Sequence, residues 1–278
     1  MPLGGNTRIL AHIGYPTATF RAPSIYNPYF EAAGIDACVV PMGVRAEDFA
    51  LSFPAIFRFS NVMGALITMP HKIAVVDMLD EISTEARIAG ACNAVKRLPD
   101  GRLAGDMFDG EGFVRGLERK GLRLTGVSAS IAGAGGVGSA IAASLAGRGA
   151  ARLSLFDPDA RMAQRLAERL RDRYPALRAE IGPPDPRRHD IAVNASPLGM
   201  KDGDPLPFDV AALDPRTLVA DVVLKAKITP LLAAAQARGC RVQTGLDMLY
   251  EQIPAYLEFF DLPATTPDVL RALTRPRP

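Results

Sequence analysis

The glycines most able to do chemistry stand together in the run Gly133-Ala134-Gly135-Gly136-Val137-Gly138, directly after the apolar stretch Ala129-Ser130-Ile131-Ala132. Their spacing is GxGxxG, set between a strand pattern and a helix pattern. The first glycine permits a tight turn, the second lets the backbone approach a pyrophosphate, and the third lets the following helix pack closely on its sheet. The start of that helix adds free N–H groups and the positive end of a dipole. The backbone from Gly133 through Ala134, Gly135, Gly136 and Val137 to Gly138 is therefore a candidate dinucleotide cradle. Asp157 ends the next strand pattern, about 20 residues on, where an acidic side chain accepts hydrogen bonds from the ribose hydroxyls and repels a 2′-phosphate. That favours NAD. Arg161, one helical turn further, could hold such a phosphate, so NADP stays open. A plain packing turn and an S-adenosylmethionine site are the alternatives for such a loop.

The N-terminal half carries Thr68-Met69-Pro70-His71-Lys72, Ala89-Gly90-Ala91-Cys92-Asn93 and Gly105-Asp106-Met107-Phe108-Asp109-Gly110, each at a strand end or turn. Oxidising a hydroxyl to a ketone needs a hydride acceptor and a group that takes the hydroxyl proton. A lysine working with an aspartate can relay that proton; Lys72 and Asp109 are the candidates. Asn93 can fix a substrate hydroxyl, since an amide both donates and accepts. Each has a plainer reading too: a solvated lysine, an N-capping aspartate before a helix, a turn asparagine.

Elements of two kinds must position these residues. The patterns predict strands at 8–13, 37–44 and 64–68. They predict helices at 22–33, at 46–60 with Pro54 interrupting, and at 71–79 with Pro70 in the first turn. Segments 92–98 and 102–108 flank Pro99-Asp100-Gly101, a hairpin signal. Strands spaced by helices predict a largely parallel sheet. From residue 110 the pattern continues with helices at 112–120, 137–147, 160–174 and 230–238, and strands at 126–131, 151–156, 190–194, 218–221 and 241–244. Residues 182–189 read as loop, and the tail 275–278 as frayed.

The bulk numbers fit a folded chain of two domains. It has 278 residues, 48% of them hydrophobic and 22% charged, enough for sizeable cores. The formal net charge is only +2, so no electrostatic footprint for nucleic acid or an anionic membrane is present. No run is long and apolar enough for a membrane span, and no leader pattern opens the chain. Three cysteines without CxxC spacing argue against a disulfide framework and a metal site and for a cytoplasmic setting. His12, His71 and His189 lack metal spacing and read as structural or solvent-facing. A monomer and a homodimer both suit this length.

Taken together, the segments resemble the shikimate/quinate dehydrogenase family over nearly the whole chain. The motifs are Gly14-Tyr15-Pro16, Thr68-x-Pro70-x-Lys72, Ala89 to Asn93, Gly105-Asp106-x-x-Asp109-Gly110 and the glycine loop. Asn194-Ala195-Ser196-x-x-Gly199-Met200, Asp221, Thr229-Pro230-Leu231 and Gly245-Leu246-x-Met248-Leu249-x-x-Gln252 continue them. The resemblance implies an α/β fold: an N-terminal α/β substrate domain, residues 1–109 completed by 245–278, and a Rossmann-like doubly wound cofactor domain, 110–244. It implies an NAD(P)-dependent alcohol dehydrogenase connected with aromatic amino acid biosynthesis, with Lys72 and Asp109 as catalytic pair. It places Thr68, Asn93 and Gln252 on the substrate, a small cyclic hydroxy acid, and Asn194, Ser196, Val222, Gly245 and Met248 on the cofactor.

The departures gather at the substrate side. The family's Ser-Lys-Ser-Pro turn, which holds a carboxylate, reads Phe20-Arg21-Ala22-Pro23 here. An expected Asn is Leu66, an Asn-Thr pair is Met107-Phe108, and a Tyr is Leu224. Each lost hydrogen bond to a charged group costs about 1.5–3 kcal/mol, so two or three losses mean roughly 10³-fold weaker binding of shikimate. Arg21 could compensate by holding a carboxylate bidentately, which makes Phe20 and Arg21 candidate substrate contacts. A less polar cyclic hydroxy acid is the expected substrate; a non-catalytic dinucleotide or metabolite sensor is the alternative.

Overall fold

The computed structural model describes residues 3–274 and divides into two compact units, residues 1–108 with 253–278, and residues 109–252. The expectation for the tail 275–278 lies outside the described residues. Unit one holds strands β1 (Arg8–Gly14), β2 (Ala37–Gly43), β3 (Val62–Ile67), β4 (Glu81–Ile82), β5 (Ala94–Arg97) and β6 (Leu103–Asp106). They form one sheet in the order β2-β1-β3-β5-β6-β4. The helices are α1 (Ala22–Ala32), α2 (Phe49–Ile56) and α3 (Thr84–Ala89). Unit two holds α4 (Asp109–Arg119), β7 (Ser128–Ala132), α5 (Gly136–Gly147), β8 (Arg152–Phe156), α6 (Ala160–Arg173), β9 (Arg178–Ile181), β10 (Ile191–Asn194), β11 (Leu218–Asp221), α7 (Pro230–Ala237) and β12 (Val242–Gln243). The boundary back to unit one falls inside α8 (Gly245–Phe259), and α9 (Pro267–Leu273) follows.

Unit two is the regular one. Its sheet runs β12-β11-β10-β7-β8-β9, with every pairing parallel. Such strands are buried on both faces and read as apolar runs; β10 and β11 are buried at every position. The order reverses at β7, which places the end of β7 at a topological switch point, where open α/β sheets bind ligands.

Unit one keeps a parallel-rich sheet and corrects two helix expectations. β1 pairs parallel with β2 and β3, and β4 with β6, while β5 pairs antiparallel with β3 and, through the Pro99-Asp100-Gly101 turn, with β6. Residues 71–79 form turns and a short 3-10 segment, Val76–Met78, not an α-helix. His71 explains why: its Nε2 bonds the Val44 carbonyl at 2.7 Å and its ring stacks on Phe49, so tertiary contacts hold this loop. The 46–60 helix shortens to a 3-10 turn, Ala46–Asp48, and α2. Alternation along β1 splits its side chains. Ala11 and Ile13 enter a core with Phe49, Phe53, Ala65 and Ile67, which leaves His12 and Gly14 on the opposite face.

Candidate functional site

In unit two the glycine loop lies where β7 hands over to α5. Gly133 has φ +109°, and a Cβ there would sit 2.6 Å from the Ala195 carbonyl oxygen, so both conformation and packing demand glycine. A Cβ on Gly138 would meet the Gly133 carbonyl oxygen at 2.0 Å. Gly135 differs. Its φ is −70° and nothing lies within 4 Å of a Cβ built there. Protein packing gives no reason for glycine at that position, whereas an approaching pyrophosphate would. This favours a dinucleotide cradle over a mere packing turn. Gly135, Gly136 and Val137 are half-buried.

The partners of the loop are fixed. Asp157 Oδ2 accepts from the Ala134 N–H at 2.8 Å, and its Oδ1 from the Asp159 N–H at 2.9 Å. A carboxylate has about four lone-pair sites, so half its capacity remains for ribose hydroxyls. Arg161 pairs with Asp159, with its side chain 81% exposed; such a surface pair is worth at most about 1 kcal/mol and yields easily to a phosphate.

Beside the loop, Asn194 and Asp221 form a buried network. Asn194 Nδ2 donates to Asp221 Oδ1 at 3.0 Å and to the Leu198 carbonyl at 2.8 Å; Asn194 Oδ1 accepts from the Ser196 N–H and hydroxyl. Thr229 Oγ1 donates to Asp221 Oδ2 at 2.6 Å. Burial pushes the Asp221 carboxyl up, against the pull of its hydrogen bonds to Thr229, Val223 and Asn194. A Cβ on Gly245 would meet the Val222 carbonyl oxygen at 2.6 Å. Gly133, Asn194, Ser196, Val222 and Gly245 thus gather around the carboxyl ends of β7, β10 and β11.

Asp109 begins α4 and is 4% exposed; a carboxylate suits the positive end of that helix. Gly110 and Gly112 let other helices close on α4. A Cβ on Gly110 would fall 2.1 Å from the Ala140 carbonyl of α5. One on Gly112 would fall 2.5 Å from the Met248 carbonyl and 2.6 Å from the Gln252 Cβ. Unit two therefore brings the start of α4 alongside the glycine-loop helix and the Met248–Gln252 stretch. Gln252 is 6% exposed and its Oε1 is buried without a hydrogen-bond partner.

Unit one assembles the other candidates at the ends of β1, β3 and β5. The Cys92 N–H donates to the Lys72 carbonyl at 2.7 Å, and the Asn93 carbonyl accepts from the Ile67 N–H at 2.8 Å. That sets Asn93 beside the Lys72 backbone. Asn93 is 1% exposed; its Oδ1 accepts from the Phe108 N–H at 2.9 Å, while its Nδ2 is buried without a partner. With one bond already accepted by the oxygen, the unspent Nδ2 is the group this amide offers as a donor. Thr68 lies across from Gly14, its methyl 2.4 Å from where a Gly14 Cβ would stand. Arg21 stands at the N-cap position of α1 without a side-chain capping bond and is half-buried. Burial pushes the neighbouring Cys92 thiol up to about 12, so it is inert.

The apolar departures Phe20, Ala22, Leu66, Met107 and Phe108 are packed parts of unit one, whereas Leu224 is half-buried in unit two. Met107 is 2% exposed. Phe108 packs on Tyr256 and Phe259, with ring centroids 4.9 and 5.6 Å away. Phe20 lies against His12, centroids 4.0 Å apart. His12, which the sequence leaves as structural or solvent-facing, is only 8% exposed, its Nδ1 is buried without a partner, and its imidazole is lowered to about 4 by burial and then by the charge of Lys72. No metal spacing marks it; its signal was a titratable group amid an apolar strand. Among the described residues no group of three or more His, Cys, Asp or Glu side chains could hold a metal ion.

Known proteins resemble this chain in sequence and fold. Residues 12–95 match the family model of the shikimate dehydrogenase substrate binding domain. The chain is 34% identical over 280 residues to the shikimate dehydrogenase (NADP(+)) of Acidiphilium cryptum, covering 97% of this chain and 96% of that one. Among solved structures, shikimate 5-dehydrogenase from Listeria monocytogenes, in complex with shikimate and NAD, superposes with TM-score 0.87 at 27% identity, covering 98% of each chain. The 5-ketofructose reductase of a Gluconobacter strain superposes with TM-score 0.86 at 28% identity, covering 98% of this chain and 99% of that one. Sequence and fold together show that the chain belongs to the shikimate dehydrogenase family of nicotinamide-dependent oxidoreductases.

Proposed function

We propose that the chain interconverts a ring hydroxyl and the corresponding ketone of shikimate, quinate or a less polar cyclic hydroxy acid. Gly133 to Gly138, Asn194, Ser196, Val222, Gly245 and Met248 hold the dinucleotide, which supplies hydride exchange when bound. The observation that carries this reading is Asn93. A fully buried amide with its oxygen committed to Phe108 and its nitrogen unspent is a preformed donor beside the Lys72 loop. An unsatisfied buried donor costs about 1–3 kcal/mol, and a substrate oxygen removes that cost.

In this reading Asn93 Nδ2 orients the reacting hydroxyl and Lys72 Nζ takes its proton on oxidation, returning it on reduction. Asp109 works with Lys72 as the second member of the relay, and Thr68 and Gln252 complete the grip on the ring. Asp157 makes NAD the preferred cofactor, while the easily released Arg161 keeps NADP usable. The A. cryptum relative is named for NADP(+), so the preference is a property to measure. The Gluconobacter neighbour is named for a ketose, and Phe20, Ala22 and Leu66 favour a substrate with fewer charged contacts. Steady-state assays of both dinucleotides against a panel of cyclic hydroxy acids test this. Turnover that saturates in both substrates is expected; dinucleotide binding with no hydride transfer to any ring compound would point to the sensor reading.

A further inference from the structure

The three histidines of this chain behave differently. His71 bonds the Val44 carbonyl and stacks on Phe49. His189 has both ring nitrogens engaged, with Ser154 Oγ at 2.9 Å and the Arg187 carbonyl at 2.8 Å. These two are core or loop histidines in the ordinary sense. His12 is buried as deeply as many core residues, yet its Nδ1 has no partner. A buried polar atom left so costs stability that an apolar residue of similar size would not.

Its place in the sheet says what it faces. His12 pairs in register with Leu66, and Gly14, two residues on, meets the Thr68 methyl and the Phe20 ring. The Phe20 ring covers the imidazole, and the charge of Lys72 reaches it. His12, Phe20, Thr68 and Lys72 therefore share one end of the β1–β3 pair. With its pKa near 4, the imidazole is neutral at neutral pH, one nitrogen donating and the other accepting. A hydroxyl, which also donates and accepts, matches either tautomer. A carboxylate there would ion-pair with Lys72 and hold its proton, opposing the relay.

We propose that His12 is a specificity-determining residue, its ring hydrogen-bonding a substrate hydroxyl adjacent to the one oxidised, so that the site selects rings with a vicinal pair of hydroxyls. This rests on the reading of the chain as a ring-hydroxyl dehydrogenase. Phe20 supplies the apolar wall that fixes the imidazole plane.

The test compares the wild-type protein with His12→Leu and His12→Gln. The probes are shikimate, quinate, a vicinal cyclohexanediol and cyclohexanol, the last two differing only in the adjacent hydroxyl. Three readouts are taken: kcat/KM, thermal stability, and the ¹⁵N resonances of the His12 ring, assigned by their loss in His12→Leu. Wild type is expected to favour the diol over cyclohexanol by about 10- to 100-fold. His12→Leu should reduce that preference to within about threefold, chiefly through KM, while melting no lower than wild type; His12→Gln should restore part of it. A folded His12→Leu that keeps the preference overturns the proposal, as does a vicinal-diol substrate that saturates the enzyme without moving the His12 resonances. If wild type oxidises none of the probes, the dehydrogenase reading fails separately and the resonances alone decide. Movement with a vicinal diol but not with cyclohexanol then supports recognition by His12, and no movement with any probe overturns it.

Discussion

Replacing Gly135 with alanine separates a ligand-driven glycine from a packing-driven one. The added methyl meets no protein atom within 4 Å, and φ −70° suits any residue. Gly135 is the N-cap of α5, and alanine caps less well, by up to about 1 kcal/mol. The stiffer unfolded chain returns about 0.4–1 kcal/mol. The net change in stability is within about 1 kcal/mol, a Tm shift of at most about 4 °C for a chain of this size. Binding should respond far more. A methyl standing where the pyrophosphate approaches displaces at least one charge-assisted hydrogen bond, each worth about 1.5–3 kcal/mol. The Kd for NAD and NADP should rise about 10- to 100-fold. Gly133→Ala is the control: a Cβ 2.6 Å from the Ala195 oxygen at φ +109° should destabilise unit two itself. Calorimetric titration and thermal melts read the two effects apart. Gly135→Ala binding both dinucleotides within about threefold of wild type would refute the ligand explanation, and Gly135→Ala melting as early as Gly133→Ala would refute the packing argument.

Other predictions follow from the same contacts. Asp157→Asn should shift the ratio of kcat/KM for NAD over NADP toward NADP by about tenfold or more; an unchanged ratio would show that Asp157 serves only to anchor Ala134 and Asp159. The folded pKa of His12, about 4, lies below its ordinary 6.5. The unfolded chain therefore binds the extra proton first, and the stability present above about pH 6.5 is lost as pH falls toward about 4, some 2–3 kcal/mol by about pH 4.5. Denaturant titrations near pH 7.5 and near pH 4.5 should show this loss in wild type and a loss smaller by that amount in His12→Leu; equal losses would contradict it. Asp221→Leu should cost at least about 2 kcal/mol, because it strands the Thr229 hydroxyl and one of the two Asn194 Nδ2 hydrogens, the other staying with the Leu198 carbonyl; a Tm unchanged from wild type would contradict a stabilising role for the network.

Much of unit two was legible because its determinants are local. The GxGxxG loop, the apolar runs of β10 and β11, and Asp157 at the end of β8 each carry their meaning within a few residues. Unit one was harder because its determinants are distant in sequence. The 71–79 segment has helical spacing, but the His71 contacts to Val44 and Phe49 hold it in turns. Helix α3 spans only Thr84–Ala89, so its cap signals, Ser83 accepting from the Ala86 N–H with Gly90 left-handed at the other end, bracket too few residues to show a helical period. The apolar residues at 20, 22, 66, 107 and 108 stand out in the sequence, but what they pack against does not. That Phe20 covers His12, and that Phe108 joins an aromatic cluster while its N–H fixes Asn93, depends on residues brought together only by the fold.

The central claim is that Lys72 moves the proton of a ring hydroxyl during nicotinamide-dependent oxidation. Single-turnover hydride transfer by wild type and Lys72→Ala, each saturated with dinucleotide and with the best ring substrate of the panel, tests it directly. The account predicts a rate about 10²- to 10⁴-fold lower in Lys72→Ala, with the dinucleotide Kd unchanged. Hydride transfer at the wild-type rate in a folded Lys72→Ala protein would contradict it.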